Sequence, residues 1–132
     1  MPSLLKSKNN HFASFEDYSL NLWNESLKIN LTGTFLITKE VGKFMSKVNN
    51  GVIINIAADV GVISPDHRIY QPNKLYNYKG VNFNTPPPYS VSKSAVISLT
   101  KYLATYWAKK GIRVNSISPS GVLNNQDPKF IE

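Results

Sequence analysis

An α/β fold built on a parallel sheet is predicted by three observations along this chain of 132 residues. Apolar residues recur at helical spacing over two long stretches, one beginning near Leu20 and one running from Val96 to Tyr106. A short β-branched run follows each stretch: Val52-Ile53-Ile54-Asn55-Ile56 after the first and Ile112-Arg113-Val114-Asn115-Ser116-Ile117 after the second. The first run is almost continuously apolar, the pattern of a strand buried on both faces, and such strands belong to parallel sheets. The order helix, strand, loop, helix, strand contains one βαβ unit, whose crossover is expected to be right-handed.

Residues 1–13 are polar and aperiodic and read as an exposed lead-in. The first helix is predicted over residues 14–48, with Leu20, Trp23, Leu27, Leu31, Phe35 and Val41 on its stripe. Ser14 or Ser19 can cap it, because a short hydroxyl side chain accepts from the free N–H groups of a first turn. Gly33 near the middle lowers helix stability unless another element packs closely there. Asn49-Asn50-Gly51 marks a turn into a strand over 51–57. Residues 59–88 are rich in Pro, Asn, Tyr and Gly and end in Thr85-Pro86-Pro87-Pro88, a composition that opposes regular structure. A loop of this length in a compact domain is usually functional. A second helix is predicted over 89–110, with Val96, Leu99, Leu103 and Tyr106 on one stripe and Gly111 as its stop. The last strand covers 112–118 and Pro119 closes it, so residues 1–132 read as a single domain without internal repeats.

Composition narrows the function classes. A 42% hydrophobic and 17% charged content is that of an ordinary folded domain. The absence of cysteine excludes a disulfide framework, a thiolate metal site and a cysteine nucleophile, and a cytoplasmic setting is the expectation. The first ten residues lack the apolar stretch of a signal peptide, and the apolar runs are too short to span a bilayer, so no membrane partner is expected. The net charge of +7 comes from scattered basic residues. Only Lys109, Lys110 and Arg113 approach a cluster, at a helix end where cations complement the dipole, so no nucleic-acid partner is expected either. Two histidines, His11 and His67, leave no zinc ligand set and no metal is expected. Ser90-Val91-Ser92-Lys93 matches S-x-x-K of serine acyl-transfer enzymes, but neither S-D-N nor K-T-G follows.

Chemistry enters with Tyr89-Ser90-Val91-Ser92-Lys93, where Tyr and Lys stand four apart and project onto the same face of a helix start. A phenol titrates near ~10 and is a poor acid–base catalyst at neutral pH; a neighbouring ammonium favours the phenolate and brings it toward the operating range. Such a pair can exchange a proton with a carbonyl or an alcohol.

Four segments surround and include that pair. Asn30-Leu31-Thr32-Gly33-Thr34-Phe35, Gly51-Val52-Ile53-Ile54-Asn55-Ile56, Tyr89-Ser90-Val91-Ser92-Lys93-Ser94-Ala95 and Gly111-Ile112-Arg113-Val114-Asn115-Ser116-Ile117-Ser118-Pro119 occur in the order of the short-chain dehydrogenase/reductase family. The chain resembles the C-terminal catalytic half of that family over about residues 15–126. The resemblance implies a partial doubly wound, Rossmann-like parallel sheet, NAD or NADP as cofactor, and hydride exchange with a carbonyl or hydroxyl substrate. It implies Tyr89 as general acid/base, Lys93 as the residue that tunes Tyr89 and holds the nicotinamide ribose, and Asn30 as the holder of a relay water. Pro119, Ser120, Gly121 and Val122 resemble the loop that contacts the nicotinamide, although the usual Pro-Gly is here Pro119-Ser120. Within the family, the long insertion before Tyr89, with Pro65-Asp66-His67-Arg68-Ile69-Tyr70, resembles enzymes of surface-sugar and flagellin-glycan biosynthesis. That points to a small, sugar-like substrate; Asp66, His67 and Arg68 of the loop can contact an anionic or hydroxylated one, against the plainer reading of a solvated turn. Members of the family commonly pair through two long helices, so a homo-oligomer is expected.

Two departures stand against full activity. Aligned from Asn55-Ile56, the catalytic serine's place falls on Ala58, whose methyl cannot hydrogen-bond a substrate oxygen; one such donor is worth ~3 kcal/mol in the transition state. Neither G-x-x-x-G-x-G nor G-x-G-x-x-G occurs in the sequence, and backbone N–H groups of such a turn are what anchor a pyrophosphate. The expectation is a truncated, impaired oxidoreductase, with a non-catalytic remnant or dimerising module as the alternative.

Overall fold

In the computed structural model, residues 11–70, 77–78, 81–82 and 84–122 are described. Helix α1 (Leu20–Leu27) runs through a π turn (Lys28–Thr32) into α2 (Gly33–Val48), which leads to strand β1 (Gly51–Ile56). After two short 3-10 turns (Asp59–Gly61 and His67–Tyr70) come β2 (Asn77–Tyr78) and β3 (Val81–Asn82). Helix α3 (Pro87–Tyr106), a 3-10 turn (Ala108–Lys110) and β4 (Ile112–Ile117) complete the order. Strands β1 and β4 pair in parallel, from Gly51 opposite Ile112 to Ile56 opposite Ile117, while β2 and β3 form a two-residue antiparallel hairpin. The long loop therefore carries short regular pieces where sequence composition suggested none. Its residues 71–76, 79, 80 and 83, with most of the lead-in and the segment after Val122, lie outside the described residues.

The first helix differs from the expectation of one rod over 14–48. It starts at Leu20 because Ser19 is the cap, its hydroxyl accepting from Leu22 N–H at 3.2 Å. Ser14 is engaged elsewhere, donating to Asp17 Oδ2 at 3.0 Å in an exposed turn. The π turn at Lys28–Thr32 inserts one residue into the helical repeat, and Thr34 Oγ1 donates at 2.8 Å to the Asn30 carbonyl there. Helix α3 begins two residues ahead of the predicted start. Pro86, Pro87 and Pro88 have no N–H, so the donors that a first turn normally leaves without partners are absent rather than capped. Its last turn tightens to 3-10 and stops at Gly111 in the left-handed conformation, φ 64°.

Both long helices pack on one face of the β1/β4 pair. Trp107, Ile112 and Val114 form the buried cluster, with Met45, Ile53, Leu103 and Ala104 against it. Asn55 is buried in the same layer and donates through Nδ2 to Thr100 Oγ1 at 2.8 Å; Thr100 in turn donates to the Val96 carbonyl at 2.8 Å. A buried amide so matched escapes the desolvation penalty of an unpaired one. The opposite face carries Val52, Ile54 and Ile56, exposed by 46%, 56% and 56%. The strand is thus covered on one side only by described residues, where continuous hydrophobicity predicted burial on two. No helix among the described residues is long and apolar enough to cross a membrane.

Helix α2 reaches this core through a notch. Gly42 lies against the Trp107 indole so closely that a Cβ there would overlap the ring. On propensity alone, Gly42→Ala would stabilise the helix by ~1 kcal/mol. Overpacking opposes that gain, and we expect a net destabilisation of about 1–3 kcal/mol, measured by denaturant unfolding. A variant more stable than the parent would show that the notch is not needed.

Candidate active site

Tyr89 and Lys93 occupy the first turns of α3, above the carboxyl ends of β1 and β4. Lys93 Nζ donates to the carbonyl of Ile56, the last residue of β1, at 2.8 Å, and lies 5.7 Å from the centroid of the Tyr89 ring. The bond uses one of the three ammonium donors. Tyr89 is 39% exposed, so the phenol is reachable while its ring stays beside the cation. The carboxyl ends of parallel strands are where open α/β sheets bind ligands.

Asn30 reaches this helix through the π turn. Its Nδ2 donates to Ser92 Oγ at 3.2 Å, and Ser92 Oγ donates to the Tyr89 carbonyl at 2.8 Å. Ser92 is fully buried, so its hydroxyl serves only this link. A cavity of about 410 Å³ opens beside it, lined by His11, Ser26, Asn30, Val60, Thr85 and Tyr89. Its walls, which also include Pro86, are mainly apolar and carry a few hydroxyl, amide and imidazole groups. That mixture suits a small hydroxylated molecule.

Ala58 follows β1 in extended conformation and is buried, as is Ala57, whose N–H donates to the Ile117 carbonyl at 2.8 Å. No hydroxyl stands at this position. The 3-10 turn after it is pressed onto α3: Ser94 Oγ donates to the Gly61 carbonyl at 2.8 Å, and a Cβ at Gly61 would lie 2.8 Å from the Lys93 carbonyl carbon. Only glycine permits that approach.

The exposed run Pro119-Ser120-Gly121-Val122 leaves the same edge after β4. It is tied back to the turn after β1, with Asp59 N–H donating to the Pro119 carbonyl at 3.1 Å and Ser120 Oγ donating to Asp59 Oδ2 at 2.8 Å.

The three polar residues of the insertion are arranged differently. Arg68 grips Asp66 through Nε and Nη2, at 2.9 and 2.7 Å, on the exposed surface. Those side-chain bonds, with a further one from the Arg68 N–H, hold the Asp66 carboxyl down at about 2. His67 lines a separate cavity of about 440 Å³ with Phe15, Pro65, Asn84, Thr85 and Ser90. None of the three lines the Tyr89 cavity. A larger cavity, about 530 Å³, lies between α2 and α3 and includes neither Tyr89 nor Lys93.

Ser92, Asp59, Ser26 and Thr85 are site residues that pattern reading passes over. Ser92 carried a signal, since three residues after Tyr89 it shares the same helix face. Asp59 carried none: its partner is 61 residues away.

Known proteins bear on this arrangement. Residues 8–72 match the family model described as short chain dehydrogenase, and residues 76–129 match the one described as enoyl-(acyl carrier protein) reductase. D-threitol dehydrogenase of Mycolicibacterium smegmatis is 35% identical over 111 residues, covering 84% of this chain and 36% of that protein. Post-translational flagellin modification protein A of Campylobacter coli is 34% identical over 108 residues, covering 82% and 39% respectively. Among solved structures, a short chain dehydrogenase from Leptospira borgpetersenii with bound NAD+ superposes with a TM-score of 0.75 at 38% identity, over 91% of this chain and 42% of that one. The chain thus spans 36% and 39% of the length of those two curated relatives.

Proposed function

The chain belongs to the short-chain dehydrogenase/reductase family, and on that premise we propose that it forms the catalytic end of an NAD(P)-dependent oxidoreductase acting on a polyol or other sugar derivative. The observation that carries this reading is the Tyr89/Lys93 pair at the carboxyl end of β1, beside a cavity that Tyr89 shares with Asn30.

The residues fit the nicotinamide end of the cofactor. Lys93 has two ammonium donors beyond its bond to Ile56, in number enough for a ribose diol, and Pro119, Ser120, Gly121 and Val122 offer exposed backbone on the same edge. When bound, the cofactor supplies or takes up the hydride. Tyr89 handles the proton, its phenol giving one to the substrate oxygen in reduction and recovering one in oxidation. Lys93, a fixed cation within 5.7 Å of the ring, stabilises the negative charge that develops on the phenolic oxygen. Asn30, held by Ser92, sets the amide wall of the cavity and fixes the start of α3 against the π turn. The 132 residues include neither glycine-rich pattern, the turn whose backbone N–H groups anchor a pyrophosphate.

Ala58 leaves the substrate oxygen without the second donor that the family resemblance places there, so the rate is reduced rather than absent. The α2/α3 surface, with Phe35, Tyr102 and Tyr106 exposed by 48%, 62% and 65%, is proposed as a self-association face. Tyr102 and Tyr106 stack there at 5.9 Å between centroids.

Three outcomes test these statements. Tyr89→Phe should lower D-threitol oxidation, followed by cofactor absorbance, by about 10³-fold with cofactor binding retained; parent-like turnover would sink the mechanism. Restoring the hydroxyl with Ala58→Ser should raise kcat by about 10²-fold, and no gain would mean another group already fills the role. Light scattering on Tyr106→Glu should report a smaller assembly than the parent, while an unchanged mass would remove α2/α3 as the interface.

A further inference from the structure

We propose that Asp59 is a positioning residue that latches the loop after β4 onto the turn after β1, restricting Pro119-Ser120-Gly121-Val122 before any ligand arrives. The inference rests on reading that loop as the nicotinamide contact. Three hydrogen bonds carry it. The Asp59 N–H donates to the Pro119 carbonyl at 3.1 Å, Ser120 Oγ donates to Asp59 Oδ2 at 2.8 Å, and the Val60 N–H donates to Asp59 Oδ1 at 2.6 Å. Both carboxylate oxygens are therefore engaged, one by the turn itself and one by the distant loop. Bonds to an ionised acceptor are stronger than neutral ones, which favours the carboxylate over an amide at this position.

The latch has a fixed end. The Asp59–Gly61 turn is pressed onto α3 by the Ser94 to Gly61 bond and by the contact of Gly61 with the Lys93 backbone. Lys93 in turn holds the Ile56 carbonyl, two residues before Ala58. Displacement of Ser120 is thus resisted, through Asp59, by the segment that carries the acid–base pair. The device belongs to this chain's own residues. Position 120 is where the resemblance expects glycine, and a glycine has no hydroxyl to offer Asp59. A glycine there would drop the side-chain tie and widen the backbone conformations open to the loop, whereas the Ser120 bond narrows them in advance. Ordering that is completed before binding is not charged against affinity.

The test compares Asp59→Ala, Ser120→Ala, the double variant and Ser120→Thr with the parent. It uses amide hydrogen exchange of residues 118–122 and NADH titration by fluorescence. Each single alanine variant should speed exchange at Gly121 and Val122 by about fivefold and weaken NADH binding by a similar factor. The double variant should add little to either, because both singles break the same bond. Ser120→Thr, which keeps the hydroxyl, should restore protection. Exchange that stays at the parent level in Ser120→Ala, or effects that simply add in the double variant, would overturn the latch. Faster exchange with unchanged NADH affinity would overturn its positioning role. Should no form, parent included, bind NADH, the proposed function fails, and the exchange data still decide whether the latch exists.

Discussion

The parallel register of β1 and β4 is the constraint on which the rest of the structure depends. Because Gly51 stands opposite Ile112 and Ile56 opposite Ile117, both strands end on one edge. Two loops that are far apart in sequence, Ala57-Ala58-Asp59 and Pro119-Ser120, are delivered side by side there. The crossover returns the chain to the same edge at Pro86, so the first turns of α3 set Tyr89 and Lys93 above both loops. An antiparallel pairing would send the two strand ends to opposite edges and separate these groups.

Packing on that edge is unusually close, and it is backbone that makes it so. Gly61 lets a 3-10 turn rest directly on α3, and three consecutive prolines start that helix without leaving N–H groups that need partners. Side chains then fasten the frame: Lys93 to Ile56, Ser94 to Gly61, Ser92 between Asn30 and Tyr89. Much of the polar chemistry of the site is thus also its scaffolding. Substituting one of these residues changes shape and reactivity together.

What was legible in the sequence follows from periodicity. Helical spacing placed Tyr89 and Lys93 on one face, and the β-branched runs located both strands of the parallel pair. Other features depend on contacts that no local pattern encodes. Ser19 rather than Ser14 caps the first helix because Ser14 has Asp17 as a nearer partner. The hydrophobic run of β1 could not say that described residues cover one face alone. Asp66, His67 and Arg68 looked available for a ligand, yet Asp66 and Arg68 satisfy each other and His67 faces a different cavity. Ser120 stood out as a departure from glycine, but nothing local paired it with Asp59, 61 residues away.

The π turn has a consequence for how this helix can change over generations. One surplus residue between Lys28 and Thr32 rotates everything after it by about a third of a turn relative to what comes before. Deleting a single residue there would mend the hydrogen-bond ladder and give a smoother, intrinsically better helix. It would also swing Gly42 off the Trp107 ring relative to Asn30, which donates to Ser92 from within the π turn itself. Local repair and global fit are therefore in conflict at this point. An insertion that looks like a blemish in the helix is held in place by one partner within it and another further along the chain.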